Sequence, residues 1–404
     1  MRSLQRPLLA LFLLAACSAA FAAQPSATPQ PKVFVLGVNG AEWDIIKPLL
    51  VRGEMPNLQR VIENGVSGKL RTVAAPNCPK VYSTIFTSVS PQENGITGFV
   101  IGGQTARTDM LKAEPFWSIL SKKGVSVGMA NVPATFPAVP VNGYLISGML
   151  TRGKNCEDGV LCSPKLTEVA GGDPVYPKSM TQELLQNVGD INIDCSRMPS
   201  EKELQGHEAE VVEAWLKGVD DIRAQQLRLF EYLLKNHKKD FMFFVQSCED
   251  RVGHWLYPIQ PHNVNYNERI HKLRVDAFPN QYRALDKVIG RILESLPEDT
   301  TFIMVSDHGI KPLREMEAHD AHKDHAGTTP VIAKHDFEDG DDVPGLIVAM
   351  GPGIKKGYKL MSFDASVMDV APTILHLYGM KAPATMKGRV LNEIFDDARI
   401  ATAK

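Results

Sequence analysis

Short, almost wholly apolar runs alternate with longer amphipathic stretches along most of this chain. Lys32 to Val38 (KVFVLGV) is a continuous β-branched run, the pattern of a strand buried on both faces. Phe241 to Gln246 (FMFFVQ), Thr301 to Ser306 (TFIMVS) and Leu346 to Met350 (LIVAM) read the same way. Shorter strands are predicted at Gly68 to Thr72, Ser126 to Ala130 and Tyr144 to Ser147. Helical patterns run from Glu42 to Leu50, onward from Pro56, through Ser118 to Lys122 before Gly124, and from Tyr282 to Leu296. Val367 to Leu377 is a further helix, entered through Asp364 and Ser366. Glu208 to Leu234 predicts a long amphipathic helix broken near Gly218. This alternation predicts an α/β fold, a mostly parallel central sheet flanked by helices. Leu150 to Met198 has the weakest periodicity and is read as an inserted cap or loop excursion. Tyr257 to Arg274 and Pro312 to Pro344 look irregular and follow strand ends, where α/β enzymes build sites.

The amino terminus has a different pattern. Arg2 and Arg6 precede an apolar stretch from Leu8 to Ala16, and small residues follow from Ala19 to Ala23. That is the form of a secretory signal, too short in its apolar part to span a bilayer. Ala20-Phe21-Ala22 fits a cleavage site, so residues 1–22 are assigned to the signal and 23–31 to a flexible linker. Residues 32–404 then form one domain, with the excursion at about 150–198. Leu14-Ala15-Ala16-Cys17 also resembles a lipoprotein box, so two destinations stay open. One is a periplasmic or secreted soluble protein; the other is an envelope lipoprotein anchored at Cys17. No other stretch is apolar enough to predict a membrane span.

Composition narrows the classes. The 404 residues are 44% hydrophobic and 22% charged, which excludes a disordered, collagenous or coiled-coil chain. The formal net charge is −2, and it falls to −4 once residues 1–22, with Arg2 and Arg6, are removed. There is no basic excess and so no nucleic-acid-binding signature. Export would put Cys78, Cys156, Cys162, Cys195 and Cys248 in an oxidising compartment. Cys156 and Cys162 share one Gly-rich polar loop and are the expected disulfide, with Cys195 an alternative partner for either. Cys78 and Cys248 are expected to stay reduced. Trp43, Trp117 and Trp255 are read as packing residues rather than substrate platforms.

The candidate chemistry sits where the apolar strands end. TFIMV is followed by Ser306-Asp307-His308-Gly309, and FMFFVQ by Asp250 and, four residues on, His254. KVFVLGV ends at Asn39-Gly40. Ends of neighbouring parallel strands converge on one sheet edge. Asp250 and His254 share a face after one helical turn, and Gly309 is read as the turn that presents Asp307 and His308. Carboxylate oxygen with imidazole nitrogen suits zinc or a similar divalent ion. His319, His322, His325 and His335 follow in the next loop, which reads either as a second metal-rich tract or as a solvated loop.

These segments, in this order, resemble the alkaline phosphatase superfamily, in particular its type I phosphodiesterase and nucleotide pyrophosphatase branch. The resemblance is carried by VFVLGVNGAEWD, CPKVYSTIFTSVSPQENGITGF, SCEDRVGHW, IMVSDHGIKPL, GLIVAMGPGIKKG and VMDVAPTILHLYGM. It implies an alkaline-phosphatase-like core and a two-metal phosphoester hydrolase, with two zinc ions per chain. Asp250, His254 and a late histidine, best matched by His335, would hold one metal. Asn39, Asp307 and His308 would hold the other. Cys78 falls at the nucleophile position, and a phosphorylated small molecule or diester would be the substrate. Three positions depart from the family: Asn39 replaces an aspartate, Cys78 a threonine or serine, and Asn94 a histidine. They leave two alternatives beside the phosphodiesterase. One is a non-catalytic relative that binds a phosphorylated ligand or a protein partner. The other is a sulfatase or phosphonate hydrolase using a modified Cys78. The run Cys78-Pro79-Lys80-Val81-Tyr82 lacks the C-x-P-x-R context that such modification needs.

Overall fold

The run KVFVLGV forms strand β1 (Lys32–Val38), and its neighbours explain its lack of polar positions. Helices cover both faces of the sheet here, so no side of the strand meets water. Phe34, Leu36 and Val38 enter one core, while Val33 and Val35 enter the other, as the two-residue period of a strand requires. The computed structural model describes residues 30–156, 162–195, 199, 203, 208–257, 268–312, 333–334, 343–361 and 365–396.

After β1 come α1 (Trp43–Val51), α2 (Pro56–Glu63), β2 (Gly65–Leu70), α3 (Cys78–Thr87) and α4 (Phe116–Lys122). Next are β3 (Val127–Val132), β4 (Gly143–Ser147), β5 (Val175–Tyr176) and α5 (Met180–Asn187). The chain continues through α6 (Glu208–Asn236), β6 (Phe241–Gln246), α7 (Cys248–Leu256) and α8 (Glu268–Ser295). It closes with β7 (Thr300–Val305), β8 (Gly345–Met350), β9 (Tyr358–Lys359) and α9 (Val370–Leu377). The main sheet has nine strands in the order β9-β2-β8-β7-β1-β6-β3-β4-β5. From β7 across to β4 every neighbouring pair is parallel. Only β8 and β5 run against that direction. The mostly parallel α/β reading therefore holds.

Two helices differ from their predictions. α6 runs unbroken through Gly218, because a side chain at Gly218 would meet open space and the buried stripe Val212, Trp215, Val219 and Ile222 continues past it. A glycine there costs only about 1 kcal/mol relative to alanine, too little to end a helix packed along one face. α8 begins at Glu268 rather than Tyr282 and carries Pro279 inside it. Ala277, Phe278, Tyr282, Leu285, Val288 and Ile289 form the apolar stripe that keeps it helical. Part of the supposedly irregular stretch after Tyr257 is thus helix. The segment from 162 to 195 supplies edge strand β5 and helix α5, and it buries Leu166, Leu184, Ile191 and Ile193 in the main core.

Candidate metal centre

The carboxyl ends of β7, β1 and β6 lie side by side, and every described candidate ligand but one comes from there. Asp307 and His308 follow β7, Asn39 follows β1, and Asp250 and His254 ride on α7 just after β6. The exception is Cys78, the first residue of α3, delivered from the opposite face of the sheet. α3 starts there because the Asn77 side chain accepts the Lys80 N–H at 3.2 Å and Pro79 favours a first turn.

The ligand-type atoms of Cys78, Asp307 and His308 lie within 4.8 Å of one another. Cys78 Sγ is 3.6 Å from His308 Nε2 and 3.9 Å from Asp250 Oδ2. His308 Nε2 is 3.2 Å from Asp307 Oδ2, and His254 Nε2 is 3.4 Å from Asp250 Oδ1. All five side chains are buried. His308 Nδ1 faces the Gly309 carbonyl at 3.0 Å, which can only accept, so Nδ1 carries a proton and Nε2 is the nitrogen turned to the cluster. Asn39 is fully buried, and neither its Oδ1 nor its Nδ2 has a hydrogen-bond partner among the described residues; Asp307 Oδ2 accepts no hydrogen bond either. Orphaned buried acceptors of this kind call for a cation. Oxygen, nitrogen and sulfur donors together fit a borderline-soft ion such as zinc. The electrostatics agree. Burial, then the nearby Asp307 and Asp250 carboxylates, pushes the Cys78 thiol well above the usual thiol range. Burial also raises the Asp307 carboxyl, with His308 opposing it. These groups have been gathered at the expense of their charged forms, and a cation would reverse that.

Polar residues that no motif singled out hold the loop after β1. Gly40 N–H donates to Asp307 Oδ1 at 3.2 Å, and Ala41 N–H to Ser306 Oγ at 2.9 Å. Ser306 Oγ in turn donates to the His308 carbonyl at 2.6 Å. The Tyr282 hydroxyl accepts the Glu42 N–H and donates to the Gly40 carbonyl. Gly40 has φ +66°, and a side chain there would run into Asp250, so glycine is required twice over. Gly309 is different from its predicted role. Its φ is not in the left-handed region; its need for glycine is space, since a Cβ would collide with the buried Glu42 carboxylate.

The first turn of α7 is fastened from two sides. Asp194 accepts a hydrogen bond from Ser247 Oγ at 2.7 Å and pairs with Arg251 at 3.2 Å. Arg223 donates to Glu249 at 3.0 Å and to Gln281 at 2.6 Å. A disulfide joins Cys195 to Cys248, across 53 residues of sequence. This corrects the expectation that Cys248 is reduced. Its partner arrives with the segment that also brings Asp194, a proximity hidden in the sequence. The predicted Cys156–Cys162 disulfide is present, and Cys78 is the one free cysteine among the described residues.

The remaining predicted residues are quickly placed. His335 lies outside the described residues, as do His319, His322, His325 and Cys17. Lys334, just before His335, belongs to a short strand that pairs with Lys311–Pro312 and packs beside α7. Asn94 is buried away from the cluster, where its Oδ1 accepts the Ile96 N–H at 2.9 Å. Lys80 Nζ donates to the Ala75 carbonyl at 2.6 Å. Trp43, Trp117 and Trp255 are buried packing residues, as expected.

With this geometry in place, similarity to known proteins becomes informative. The profile of the family described as type I phosphodiesterase / nucleotide pyrophosphatase matches residues 33–359. An arylsulfatase of Clostridium perfringens (strain 13 / Type A) is 24% identical over 399 residues, covering 90% of this chain and 76% of that protein. Among solved structures, murine ectonucleotide pyrophosphatase / phosphodiesterase 5, an inactive form in complex with AMP, superposes with a TM-score of 0.55. It is 12% identical, with 91% of this chain and 100% of that one covered. A 2-O GAG sulfatase superposes with a TM-score of 0.52 at 12% identity, over 91% of this chain and 74% of its own. At these identities the superpositions speak for the fold, an alkaline-phosphatase-like one.

Proposed function

This chain belongs to the type I phosphodiesterase / nucleotide pyrophosphatase family, and from that premise we propose that it is an exported, metal-dependent phosphodiesterase. The observation that carries the reading is the buried convergence of Cys78, Asp307 and His308 beside Asp250 and His254. Asp250, His254 and His335 would hold one zinc ion; Asn39, Asp307 and His308 would hold the other. Such a pair of cations would supply charge to the attacking sulfur and the leaving oxygen of an in-line displacement. The chain's own groups do the rest. Cys78, as the thiolate that a nearby cation would favour, attacks phosphorus through Sγ, forming an S–P bond as the P–O bond to the leaving group breaks and the leaving oxygen takes up a proton from solvent; water then cleaves the S–P bond, giving its hydroxyl to phosphorus and restoring the sulfur. At the start of α3 the Cys78 N–H would face the charge on the phosphoryl oxygens, since Pro79 has no N–H and that of Lys80 is taken by Asn77. The substrate class is a phosphodiester or pyrophosphate of nucleotide type. The two disulfides and the amino-terminal pattern support export.

One observation favours a second reading. Asn39 offers only a neutral carbonyl oxygen to the second cation, and Cys78 offers a soft nucleophile to a hard centre. A chain weakened at both positions would bind a phosphorylated ligand without turning it over. Elemental analysis after zinc equilibration, followed by turnover of bis(4-nitrophenyl) phosphate and dinucleotides, separates the two. Two metals per chain with turnover is the expected result. One metal or none, without turnover, would overturn the catalytic reading in favour of binding. The intact mass of the peptide containing Cys78 is expected to be that of an unmodified thiol. A formylglycine mass would instead assign a sulfatase-type reaction.

A further inference from the structure

Helix α1 leaves the metal centre at its amino end, and a surface cleft of about 380 Å³ runs along its other side, between α1, α2 and the β2–β9 edge of the sheet. Its apolar wall is built by Trp43, Leu50, Ile62 and Leu360. The Trp43 indole N–H is already satisfied by the Gly68 carbonyl at 3.2 Å, so the ring offers the cleft only apolar surface. Lys47, Lys69 and Lys359 stand around it. None of these three ammonium groups has an ion-pair or hydrogen-bond partner among the described residues. The residues that follow Leu50 and Leu360 in the chain are Val51 and Met361, exposed by 88% and 70%. They are the two most exposed of the large apolar side chains described.

We propose that this cleft, with its lysines and its protruding Val51 and Met361, is a docking face for the anionic surface of a lipid bilayer. The argument is charge and polarity complementarity. The chain as a whole is negatively charged, so an anionic surface attracts it only through local cationic patches such as this one. Lysines around an apolar groove satisfy both layers of a bilayer surface. Their stems lie on apolar atoms while their ammonium groups reach headgroup phosphates. Three lysines near such a surface strengthen binding by about a hundredfold in total, and the effect falls off within a Debye length. A single charged metabolite would use the lysines but has no need of exposed Val51 and Met361. A second copy of this chain would bring the same positive charge to the interface. The proposal does not depend on catalysis, so it survives or fails separately from the proposed phosphodiesterase activity.

The test compares the full chain with its Lys47→Glu/Lys69→Glu/Lys359→Glu variant by co-sedimentation with phosphatidylcholine vesicles, with and without phosphatidylglycerol. Any amino-terminal segment or acyl group is common to both chains, so their difference reports the patch alone. The parent is expected to partition onto the anionic vesicles, to be released by salt, and to exceed the variant by at least about a hundredfold, the loss of the three attractions alone. Metal content and melting temperature are expected to be unchanged in the variant. A Val51→Asp/Met361→Asp chain, with its lysines intact, is expected to lose most of the partition as well. Equal partition of parent and triple variant would overturn the proposal. So would a preference for vesicles that ignores phosphatidylglycerol, or concentration-dependent self-association abolished by the same substitutions.

Discussion

Glu249 and Asp250 are consecutive residues, equally shut off from water, with quite different surroundings. Glu249 faces the guanidinium of Arg223, itself shared with Gln281. Asp250 faces His254 and the Cys78 thiol, one helical turn and one sheet face away. Asp194 and Asp307 repeat the contrast, the first paired with Arg251, the second set among His308 and Cys78. A buried carboxylate must be matched by a positive charge. Where the chain brings an arginine, the group is part of the scaffold. Where it brings imidazole and thiol, a bound cation would add to the charge, and under the proposed function that would make Asp250 and Asp307 chemical rather than structural.

Substitution can break this contrast. The largest effect is expected at the proposed metal ligands. Asp307→Asn and His254→Ala should each cut phosphodiester turnover by about a thousandfold, matching the several kcal/mol of charge stabilisation at stake. Zinc content should fall with it while the melting temperature of the metal-free chain barely moves. Full turnover in either variant would remove these residues from the site. The scaffold carboxylates should do the reverse. Glu249→Ala leaves Arg223 with Gln281 and the exposed Asp220 in place of its buried carboxylate and should lower unfolding stability by about 3 kcal/mol, the low end for a broken buried pair. Chemical denaturation checks this, and an unchanged midpoint would mean that the pair is not formed.

The two disulfides sharpen the comparison at smaller scale. Cys195–Cys248 closes a loop of 53 residues and Cys156–Cys162 one of six. Loop-closure entropy predicts losses of about 4 and about 2 kcal/mol when each is replaced by a serine pair. Only the first should also weaken zinc binding, because it holds the turn that carries Asp250. Equal effects on zinc affinity would show that the turn is fixed by its ion pairs alone. The smallest effect is expected from Asn39→Asp, which should tighten the second zinc by about tenfold, or 1.4 kcal/mol. Titration against a chromogenic chelator reads that out.

Much of the site was legible in the chain. Apolar strands announce themselves, and the sheet's handedness of connection gathers their carboxyl ends, so Asp307, His308 and Asn39 could be placed together without coordinates. Asp250 and His254 needed only helical spacing. Arg223, Asp194 and Tyr282 were not legible. Each is an ordinary polar residue in its own segment, and its role exists only through a partner tens or hundreds of residues away. Gly218 and Pro279 misled for the same reason: local propensity predicted breaks that packing along a buried stripe overrides.

The sequence by itself determined the α/β alternation and the placing of candidate ligands at the strand ends, because these depend on periodicity and neighbouring residues. Tertiary structure alone decided that Cys195 meets Cys248 and which buried acids receive an arginine. It also decided that three lysines from α1, β2 and β9 surround one apolar cleft. These are outcomes of distance in space between segments far apart in the chain, and no local pattern encodes that distance.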